Sequence, residues 1–508
     1  MAKRFLQQTR QLRNLPYICR HLNSSPPSFS SALNLTDRSD STILKPILTP
    51  SLDDIAITTT NTITESATSP PCSNILNFED GKELFSSVST KRLMRSSLTL
   101  HMAAFEPMVD VGIWVMNSRL MVVPLMRNFI LETVKHTFYH HFCAGPDLEE
   151  VGRTILKLRG SGLKGMLDYG LEHATDNESC DQNLKDFIQT IQSTKSLPTD
   201  SVSFAVVKIT AICPPSLLKR VSDQLRWEHK DSSFNLPWKR KSLPLFTELS
   251  PLYHTPNKPQ PLTIQEEKDL QLAHDRLQKI CEKCVETDVP LLVDAEDTIV
   301  QPAIDYMTYS AAITYYKDDD PIVFGTIQAY LRDAKERLIQ TTNAAEKMGV
   351  PMGFKLVRGA YMSSEGRLAA AYGAKSPIHD SIAQTHACFN GCASFMLDQI
   401  ANGSGAVVLA THNIESGRLA AAKAIELGIK ESHKLQFAQL YGMSEALSFA
   451  LRNAGFHVSK YLPFGQVGLI MPYLLRRAEE NRGLLSTSSL DRELMRKELV
   501  RRFKSVIV

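Results

Sequence analysis

From Asp147 onward, helical patterns alternate with eight short apolar runs, each ending in polar residues. The runs are GMLDYGLE (165–172), VSFAVVKIT (202–210), PLLVDAE (290–296), IVFGTIQAY (322–330), GFKLVRGAY (353–361), AVVLATHN (406–413), KLQFAQLYG (434–442) and FHVSKYLPFG (456–465). Strands that alternate with helices pair in parallel, because parallel neighbours need a crossover. Eight such units, apolar enough for burial on both faces, predict an α/β fold, a (β/α)8 barrel over residues 147–490. A doubly wound open sheet is the alternative.

Helical patterns also flank the barrel. Residues 77–146 predict a helical arm before it, and residues 491–508 predict a C-terminal helical tail. The later part of the arm is very apolar, but Asp110, Arg119 and Arg127 interrupt it, so it does not qualify as a membrane span. We expect a buried helical arm; an arm that lies against a membrane surface is the alternative.

The first 36 residues contain no Asp or Glu, and their basic residues alternate with apolar ones before a serine-rich stretch. This pattern is typical of an organelle transit peptide, and its composition favours a mitochondrial one. Residues 37–76 are rich in Thr, Ser, Asn and Pro and are interpreted as a disordered linker.

One segment interrupts the regular alternation of the barrel. About fifty residues, 214–263, separate the second run from the next helical pattern, and they contain many prolines. Loops of this length are uncommon unless they are functional or disordered. We therefore interpret this segment as a lid-like insertion.

Bulk composition excludes several classes of protein. The chain is 43% hydrophobic and 22% charged, as ordinary globular proteins are. Its net charge of +3 is too small to indicate a nucleic-acid partner. Its nine cysteines are scattered, and none is accompanied by a second pair at zinc spacing. We expect reduced thiols and no metal site.

A GxGxxG match at residues 160–165, GSGLKG, does not indicate a nucleotide site. The dinucleotide fingerprint requires a strand before the glycines and a helix after them. Here a helical pattern precedes the glycines and a strand follows. We therefore expect a helix C-cap and a turn.

Every apolar run brings polar residues to its end, where barrel enzymes place their chemistry. Lys208 and Lys355 lie between aliphatic residues, where a charge is costly unless it is paired. Asp294, Glu296 or a ligand anion is the expected acceptor. The alternative is a set of internal salt bridges across the barrel.

The helix after the eighth run carries two adjacent arginines in the stretch YLLRRAEEN (473–481). On a helical wheel, Arg477 shares one side with Ile470 and Tyr473, and Arg476 lies beside them. The pair is interpreted either as a solvated helix end or as a clamp for an anion. Guanidinium groups bind a carboxylate through two parallel hydrogen bonds, so a carboxylate would suit the clamp.

In this order, the motifs VKIT, DAE, QAYLRDA, KLVRGAYM, ATHN, YLPFG and YLLRRAEEN resemble those of the proline dehydrogenases (proline oxidases), in particular the eukaryotic mitochondrial form. The similarity extends from about Phe78 to Arg482. The resemblance implies a distorted barrel that binds FAD. It also implies oxidation of L-proline to Δ1-pyrroline-5-carboxylate, by hydride transfer from proline C5 to flavin N5. The electrons would pass to membrane quinone, through peripheral contact with the matrix side of the mitochondrial inner membrane.

The resemblance also assigns roles to residues. Arg476, Arg477 and Lys208 would bind the proline carboxylate, and Tyr461 and Leu440 would pack around its ring. Asp294 would order this network, so that the implied catalytic set is Asp294, Tyr461 and Lys208. The residues on the cofactor side would be Gln328, Lys355, Arg358, Thr411, His412, Glu480 and Glu172.

The fifth run departs from the family pattern. Bacterial bifunctional relatives have Arg-Leu-Val-Lys where this chain has Lys355-Leu356-Val357-Arg358. Lysine lacks the planar fork of arginine, so the hydrogen bonds to the flavin are expected to differ. A rival class is a Schiff-base aldolase, with Lys208 or Lys355 as the nucleophilic amine.

Overall fold

The computed structural model describes residues 75–483 and 487–507 of the 508-residue chain. Only the backbone is described for Asn117, residues 479–483, Thr487 and residues 506–507. The segment interpreted as a transit peptide and residues 37–74 of the proposed linker lie outside the described residues.

Eight parallel strands close into a barrel, in the order β1-β10-β9-β8-β7-β6-β3-β2. The barrel strands are β1 (Lys164–Tyr169), β2 (Val202–Val207), β3 (Leu291–Val293), β6 (Val323–Gln328), β7 (Gly353–Val357), β8 (Ala406–Ala410), β9 (Leu435–Leu440) and β10 (Val458–Phe464); β4 (Tyr316–Lys317) and β5 (Asp320–Pro321) form a separate antiparallel pair. Each barrel strand falls within one of the eight apolar runs, except that β1 begins one residue earlier, at Lys164. The predicted (β/α)8 barrel is confirmed, and the open sheet is wrong.

Apolar side chains fill the barrel interior, as the alternation of a strand requires. Met166, Phe204, Leu292, Phe324 and Val408 belong to this inner layer and are nearly inaccessible to solvent. The intervening residues of each strand face outward into a larger core shared with the surrounding helices. Burial on both faces explains why the strands read as nearly continuous apolar runs.

Helices surround the barrel. They are α6 (Leu148–Gly160), α7 (Asn177–Ser193), α8 (Pro215–Lys230), α9 (Ile264–Thr287), α10 (Gln301–Thr314), α11 (Ala334–Lys347), α12 (Met362–Ala371), α13 (Ile382–Ala401), α14 (Ile414–Glu426), α15 (Glu445–Asn453), α16 (Val467–Gly483) and α17 (Thr487–Ile507). Short 3-10 turns occupy Thr194–Ser196, Ile209–Ala211 and Leu252–His254. The rejected nucleotide motif forms the end of α6 and the following turn, where Gly162 has a φ of +71°. The C-cap interpretation is therefore confirmed.

The segment 214–263 is not a continuous loop. It opens with the 16-residue helix α8, whose Arg226 is buried and donates to the carbonyl oxygens of Thr298 and Ile299 after β3. The rest packs Leu236 and Leu243 into the core. The expectation of a loop is wrong for α8 because Pro215 occupies the first helical turn, where proline is favoured.

The arm before the barrel is helical, as predicted. Its elements are α1 (Gly81–Leu84), α2 (Thr90–Ala104), α3 (Glu106–Asn117), a 3-10 turn (Arg119–Val122), α4 (Pro124–Val134), a π turn (Lys135–Tyr139) and α5 (His140–Phe142). The expectation that the arm is buried is wrong for its outer side, where Trp114 is 65% exposed and Phe129 is 69% exposed. Among the described helices, none combines the length and apolarity needed to cross a membrane.

The C-terminal helix α17 packs against α2 of the arm. Arg502 donates to the carbonyl oxygens of Phe85 and Val88, at 2.8 and 2.7 Å. The helix begins at Thr487, so the predicted boundary between barrel and tail at residue 490 falls inside one continuous element.

Candidate active site

Strand alternation directs a set of side chains into the barrel beyond the apolar interior. Within each strand, positions an even number of residues from an inner-layer residue point into the barrel. From the middle of the strands to just beyond their carboxyl ends, the positions of this kind are Asp168, Lys208, Asp294, Gln328, Lys355, His412, Leu440 and Tyr461. Seven of them are sequence-predicted site residues, and they gather at the end where barrel enzymes carry their chemistry.

Asp294 is the centre of a buried hydrogen-bonded network at this mouth. Its Oδ2 accepts from Lys208 Nζ at 2.5 Å and from the Tyr461 hydroxyl at 2.7 Å. Its Oδ1 accepts from Lys355 Nζ. These side chains come from β2, β3, β7 and β10 or from the residues just after them. The Lys208–Asp294 bond joins the neighbouring strands β2 and β3, whereas the bonds from Lys355 and Tyr461 to Asp294 cross the barrel. Of the two carboxylates considered as acceptors for the lysines, the structure uses Asp294.

The network fixes the charge of its members. Burial alone would raise the pKa of Asp294, but Lys208 and Lys355 outweigh burial and hold that pKa well below its ordinary value. Burial alone would lower the pKa of Lys208, yet Asp294 raises it well above the usual range. Burial and the neighbouring carboxylates raise the pKa of Tyr461. Asp294 is therefore ionised, and Lys208 and Tyr461 keep their protons.

Asp168 also belongs to this mouth, although sequence reasoning missed it. The residue is 5% exposed at the end of β1. Burial raises its pKa to about 6; attraction to Lys208 opposes this rise, and repulsion from Asp294 adds to it. The available signal was its position two residues after the inward-facing Met166.

The paired arginines lie on α16, beside the mouth. Arg476 donates to Glu172 Oε1 at 2.8 Å. Arg477 is 7% exposed, and its guanidinium stacks on the Tyr473 ring at 4.8 Å. Burial would raise the pKa of Glu172, but Arg476 and Lys208 outweigh it and lower that pKa. The Glu172 carboxylate is thus stabilised by both Arg476 and Lys208, so these two cations lie at the same opening. A solvated helix end does not describe Arg477.

The two cations of the KLVR run occupy different places, because they are three residues apart on one strand. Lys355 faces the interior, whereas Arg358 lies at the outer rim between β7 and α13. Arg358 donates to His386 Nδ1, Thr411 Oγ1 and Ser416 Oγ at 2.8–2.9 Å, and all three partners are neutral in these bonds. Burial lowers its pKa to about 10, because no carboxylate compensates the charge.

The remaining predicted residues are held by local bonds. Gln328 donates to the carbonyl oxygen of Glu296 at 2.9 Å, across neighbouring strands. His412 Nε2 accepts from the backbone N–H of Leu440 at 3.1 Å. Burial, reinforced by nearby cations, lowers the pKa of His412 to about 3, so the ring is neutral. The side chain of Glu480 lies outside the described residues.

Glu296 does not bind the lysines, although sequence reasoning named it as an alternative acceptor. Its carboxylate accepts from Thr210 Oγ1 at 2.8 Å, next to the end of β2. Burial raises its pKa to about 7. The residue is therefore set apart from the network that Asp294 organises.

The mouth of this (β/α)8 barrel contains a buried lysine–carboxylate network beside a pair of arginines. Such a mouth is typical of barrel enzymes and suits an anionic ligand. Comparison with known families is more specific. The model of the family described as proline dehydrogenase matches residues 151–489. The chain belongs to the proline dehydrogenase family.

The chain is 60% identical to mitochondrial proline dehydrogenase 1 of Arabidopsis thaliana over 431 residues, which cover 84% of this chain and 86% of that protein. It is 30% identical to hydroxyproline dehydrogenase of Bos taurus over 453 residues, covering 84% and 93%. Among solved structures, it resembles proline utilization A from Bdellovibrio bacteriovorus, with a TM-score of 0.61 and 19% identity. That match covers 84% of this chain but 44% of the longer protein, and it supports the fold.

Proposed function

We propose that this protein is an FAD-dependent proline dehydrogenase that oxidises L-proline to Δ1-pyrroline-5-carboxylate, the first step of proline catabolism to glutamate. The observation that carries the proposal is that Arg476 and Lys208 both act on Glu172, while Arg477 acts on His412, so that three cations surround the barrel mouth. Three cations on rigid elements suit a single small carboxylate. The 60% identity to a relative named proline dehydrogenase, against 30% to one named hydroxyproline dehydrogenase, favours proline as the substrate.

In this proposal, Arg476 and Arg477 bind the proline carboxylate together with Lys208. Tyr461 and Leu440 flank the pyrrolidine ring. Asp294 holds Lys208 and Tyr461 in place through its two hydrogen bonds. Fixing the carboxylate and the ring decides which carbon is presented for oxidation, so these residues act mainly by orientation.

The rim of the mouth fits an anionic cofactor such as FAD. Arg358 is a half-buried cation whose hydrogen bonds, among the described residues, all go to neutral groups. This leaves positive charge at the rim that a phosphate or a reduced flavin would balance. We assign flavin contacts to Gln328, Lys355, Arg358, Thr411 and His412. When bound there, FAD would supply the oxidant for removal of a hydride from proline C5, and the electrons would pass on to quinone.

Oxidation at the carbon beside nitrogen requires an unprotonated amine, and the Asp294 network offers no good base for it. Asp294 is held ionised by two lysines, and both Lys208 and Tyr461 already carry their protons. We therefore infer that proline binds with its amine deprotonated, or loses its proton to solvent. The value of kcat/KM should rise with pH across the range in which that amine titrates. A flat profile would contradict this inference.

A Schiff-base aldolase is disfavoured by the same electrostatics. A nucleophilic lysine must be neutral to attack a carbonyl group. Asp294 holds Lys208 protonated and also accepts from Lys355. Borohydride treatment with substrate should leave no covalent adduct on either lysine. An adduct would support the aldolase function instead.

The proposal places the protein in mitochondria, in peripheral contact with the matrix side of the inner membrane, where quinone is the electron acceptor. Relatives at 60% and 57% identity are named mitochondrial. The acid-free, basic first 36 residues suit import into that organelle.

The direct test is an absorption spectrum of the purified protein. We expect flavin bands that bleach when L-proline is added without oxygen. Protein expressed with ample flavin that stays colourless, or flavin bands that L-proline leaves unchanged, would refute the proposed function.

A further inference from the structure

Exposed apolar side chains are concentrated on the helical arm. Of the 24 exposed large hydrophobic side chains among the described residues, eleven lie between Met94 and Phe129. Such a concentration marks an interaction site, because isolated proteins rarely expose contiguous apolar patches. We call the part of it formed by Val111, Trp114, Val122, Leu125 and Phe129 the apolar arm surface; each of these side chains is between 59% and 81% exposed.

The geometry of the arm presents this surface outward. Val111 and Trp114 are three residues apart on α3, and Leu125 and Phe129 are four apart on α4, so each pair shares one helix face. Val122 lies in the 3-10 turn that joins the two helices and is 81% exposed. The opposite sides of α3 and α4 pack against α16. The apolar arm surface is therefore the outer face of two helices that are joined by a 3-10 turn.

The charges along this part of the arm are mainly positive. Between Val111 and Leu131 the chain has two arginines, Arg119 and Arg127, and no acidic residue, although the exposed Asp110 directly precedes Val111. Among the described residues, neither arginine forms an ion pair with a carboxylate. Arg119 is exposed, whereas the Arg127 guanidinium lies on the side of Gly468 of α16 and its Nε is buried. The nearest following acid, Glu132, already lies 2.9 Å from His136 and 3.7 Å from Lys135.

We propose that the apolar arm surface docks on a bilayer that carries anionic phospholipids, with the exposed Arg119 at the headgroup phosphates. This inference deepens the membrane contact of the proposed function, on which it rests, by assigning the surface that makes it. Helices of 12 and 11 residues are about 18 and 16 Å long, well short of a hydrocarbon core of about 30 Å. The two helices therefore lie in the interface, where a tryptophan such as Trp114 is favoured.

A bilayer matches both the apolar and the charged parts of this surface. Anionic headgroups neutralise the exposed Arg119. The acyl chains remove Leu125 and Phe129, which are 78% and 69% exposed, from water.

The docked arm would hold the barrel mouth at the membrane. Met116 of α3 and Leu131 of α4 join one apolar cluster with Ile470 and Leu474 of α16, the helix that carries the arginine pair. Leu440, assigned to the proline ring, belongs to the same cluster. A lipid-soluble electron acceptor would therefore find the mouth beside the surface that binds its bilayer.

The test uses the flavin-loaded full chain and flotation with phosphatidylcholine vesicles, with and without phosphatidylglycerol. The double variant Leu125→Ser/Phe129→Ser removes two side chains that are 78% and 69% exposed. Ile264→Ser/Ile382→Ser is the matched control, because these residues are 77% and 70% exposed on other helices. Arg119→Gln tests the headgroup contact.

We expect the wild type and the control to float with anionic vesicles, and the double variant to bind at least about tenfold more weakly. Arg119→Gln should lose most of the preference for phosphatidylglycerol. Activity with proline and a water-soluble dye should stay unchanged in every variant, which separates this test from that of the proposed function. A wild type that ignores vesicles, a double variant that still binds them, or one that only changes self-association on sedimentation would overturn the docking proposal.

Discussion

The barrel mouth buries charge, whereas the helical arm exposes apolar side chains to water. At the mouth, Asp294 and Lys355 are 7% and 6% exposed. On the arm, Val122 and Leu125 are 81% and 78% exposed. Each arrangement is unfavourable for an isolated chain, because charge is favoured in water and apolar surface is favoured away from it.

The difference between the two regions indicates which kind of partner each one binds. Lysines and arginines gathered at one mouth suit an anionic small molecule or cofactor, and an apolar face beside the exposed Arg119 suits a lipid surface. Mutations should therefore affect catalysis and membrane binding independently. Changes at the mouth should alter catalysis in every assay, and changes on the arm should alter it only when a membrane is involved.

Loss of Asp294 should have the largest effect. Asp294→Ala leaves Lys208 and Lys355 buried without their carboxylate, and breaking a buried pair in this way costs about 3–5 kcal/mol. We expect kcat/KM for proline with a soluble dye to fall at least about 100-fold, because Lys208 and Tyr461 lose their common anchor. Steady-state kinetics and urea unfolding measure the two losses.

A buried ion pair away from the mouth provides the control. Asp305 accepts from Arg337 at 2.9 Å outside the barrel interior. Asp305→Ala should destabilise the fold to a similar extent while leaving kcat/KM per flavin-loaded molecule within about twofold of wild type. Equal kinetic losses in both variants would show that the Asp294 network is structural rather than catalytic.

The arginine pair should come next. Arg476→Met and Arg477→Met each remove a charge-assisted bond to the substrate carboxylate, worth about 1.5–3 kcal/mol. We expect KM for proline to rise about 10–100-fold with flavin still bound. Arg452→Met, a cation on the outside of α15, is the control and should leave KM unchanged. An unaltered KM in either mouth variant would remove that arginine from the carboxylate site.

Arg358 sharpens the comparison within the mouth itself, because it is assigned to the cofactor and not to proline. Arg358→Met should weaken FAD retention by about tenfold, while KM for proline stays unchanged in the molecules that keep flavin. Flavin fluorescence released during dialysis measures the first quantity. Arg332→Met, which breaks a pair with Asp380 outside the mouth, is the matched control. Proline KM rising in step with flavin loss would contradict the division of roles.

The smallest predicted effect is a pH dependence at Asp168. Its folded-state pKa of about 6 lies above the ordinary value, so its contribution to stability is full below about pH 4 and is lost as the pH rises through 6. Asp168→Asn stays neutral throughout. Its Tm relative to wild type should therefore improve by a few degrees between pH 5 and pH 8. A Tm difference that is constant across this range would contradict the raised pKa.

Strand positions and their inward polar ends were predictable because a barrel strand has a period of two and carries apolar residues on both faces. The same period of two residues predicts an inward position for Asp168, which lies inside an apolar run and was overlooked. Helix α8 was missed because its prolines were taken as loop markers, although proline also favours the first turn of a helix.

The contacts that each region makes, within the mouth and on the arm, were not predictable from the sequence. Sequence spacing could not decide between Asp294 and Glu296 as the lysine acceptor, because the choice depends on distances across the barrel. Sequence also could not decide whether protein covers the apolar arm. An apolar segment is favoured away from water, but the pattern does not indicate whether protein or lipid surrounds it. The assignment of proline as the bound anion rests on resemblance rather than on spacing.

The separation of the two regions is tested most directly by one ratio, the rate of proline-dependent reduction of quinone in anionic vesicles divided by the rate with a soluble dye. For Leu125→Ser/Phe129→Ser the ratio should fall about tenfold or more, because only the membrane route is impaired. For Arg476→Met at limiting proline both rates should fall together, leaving the ratio unchanged. A double variant with an unchanged ratio, or an Arg476→Met variant that loses one rate alone, would contradict the account.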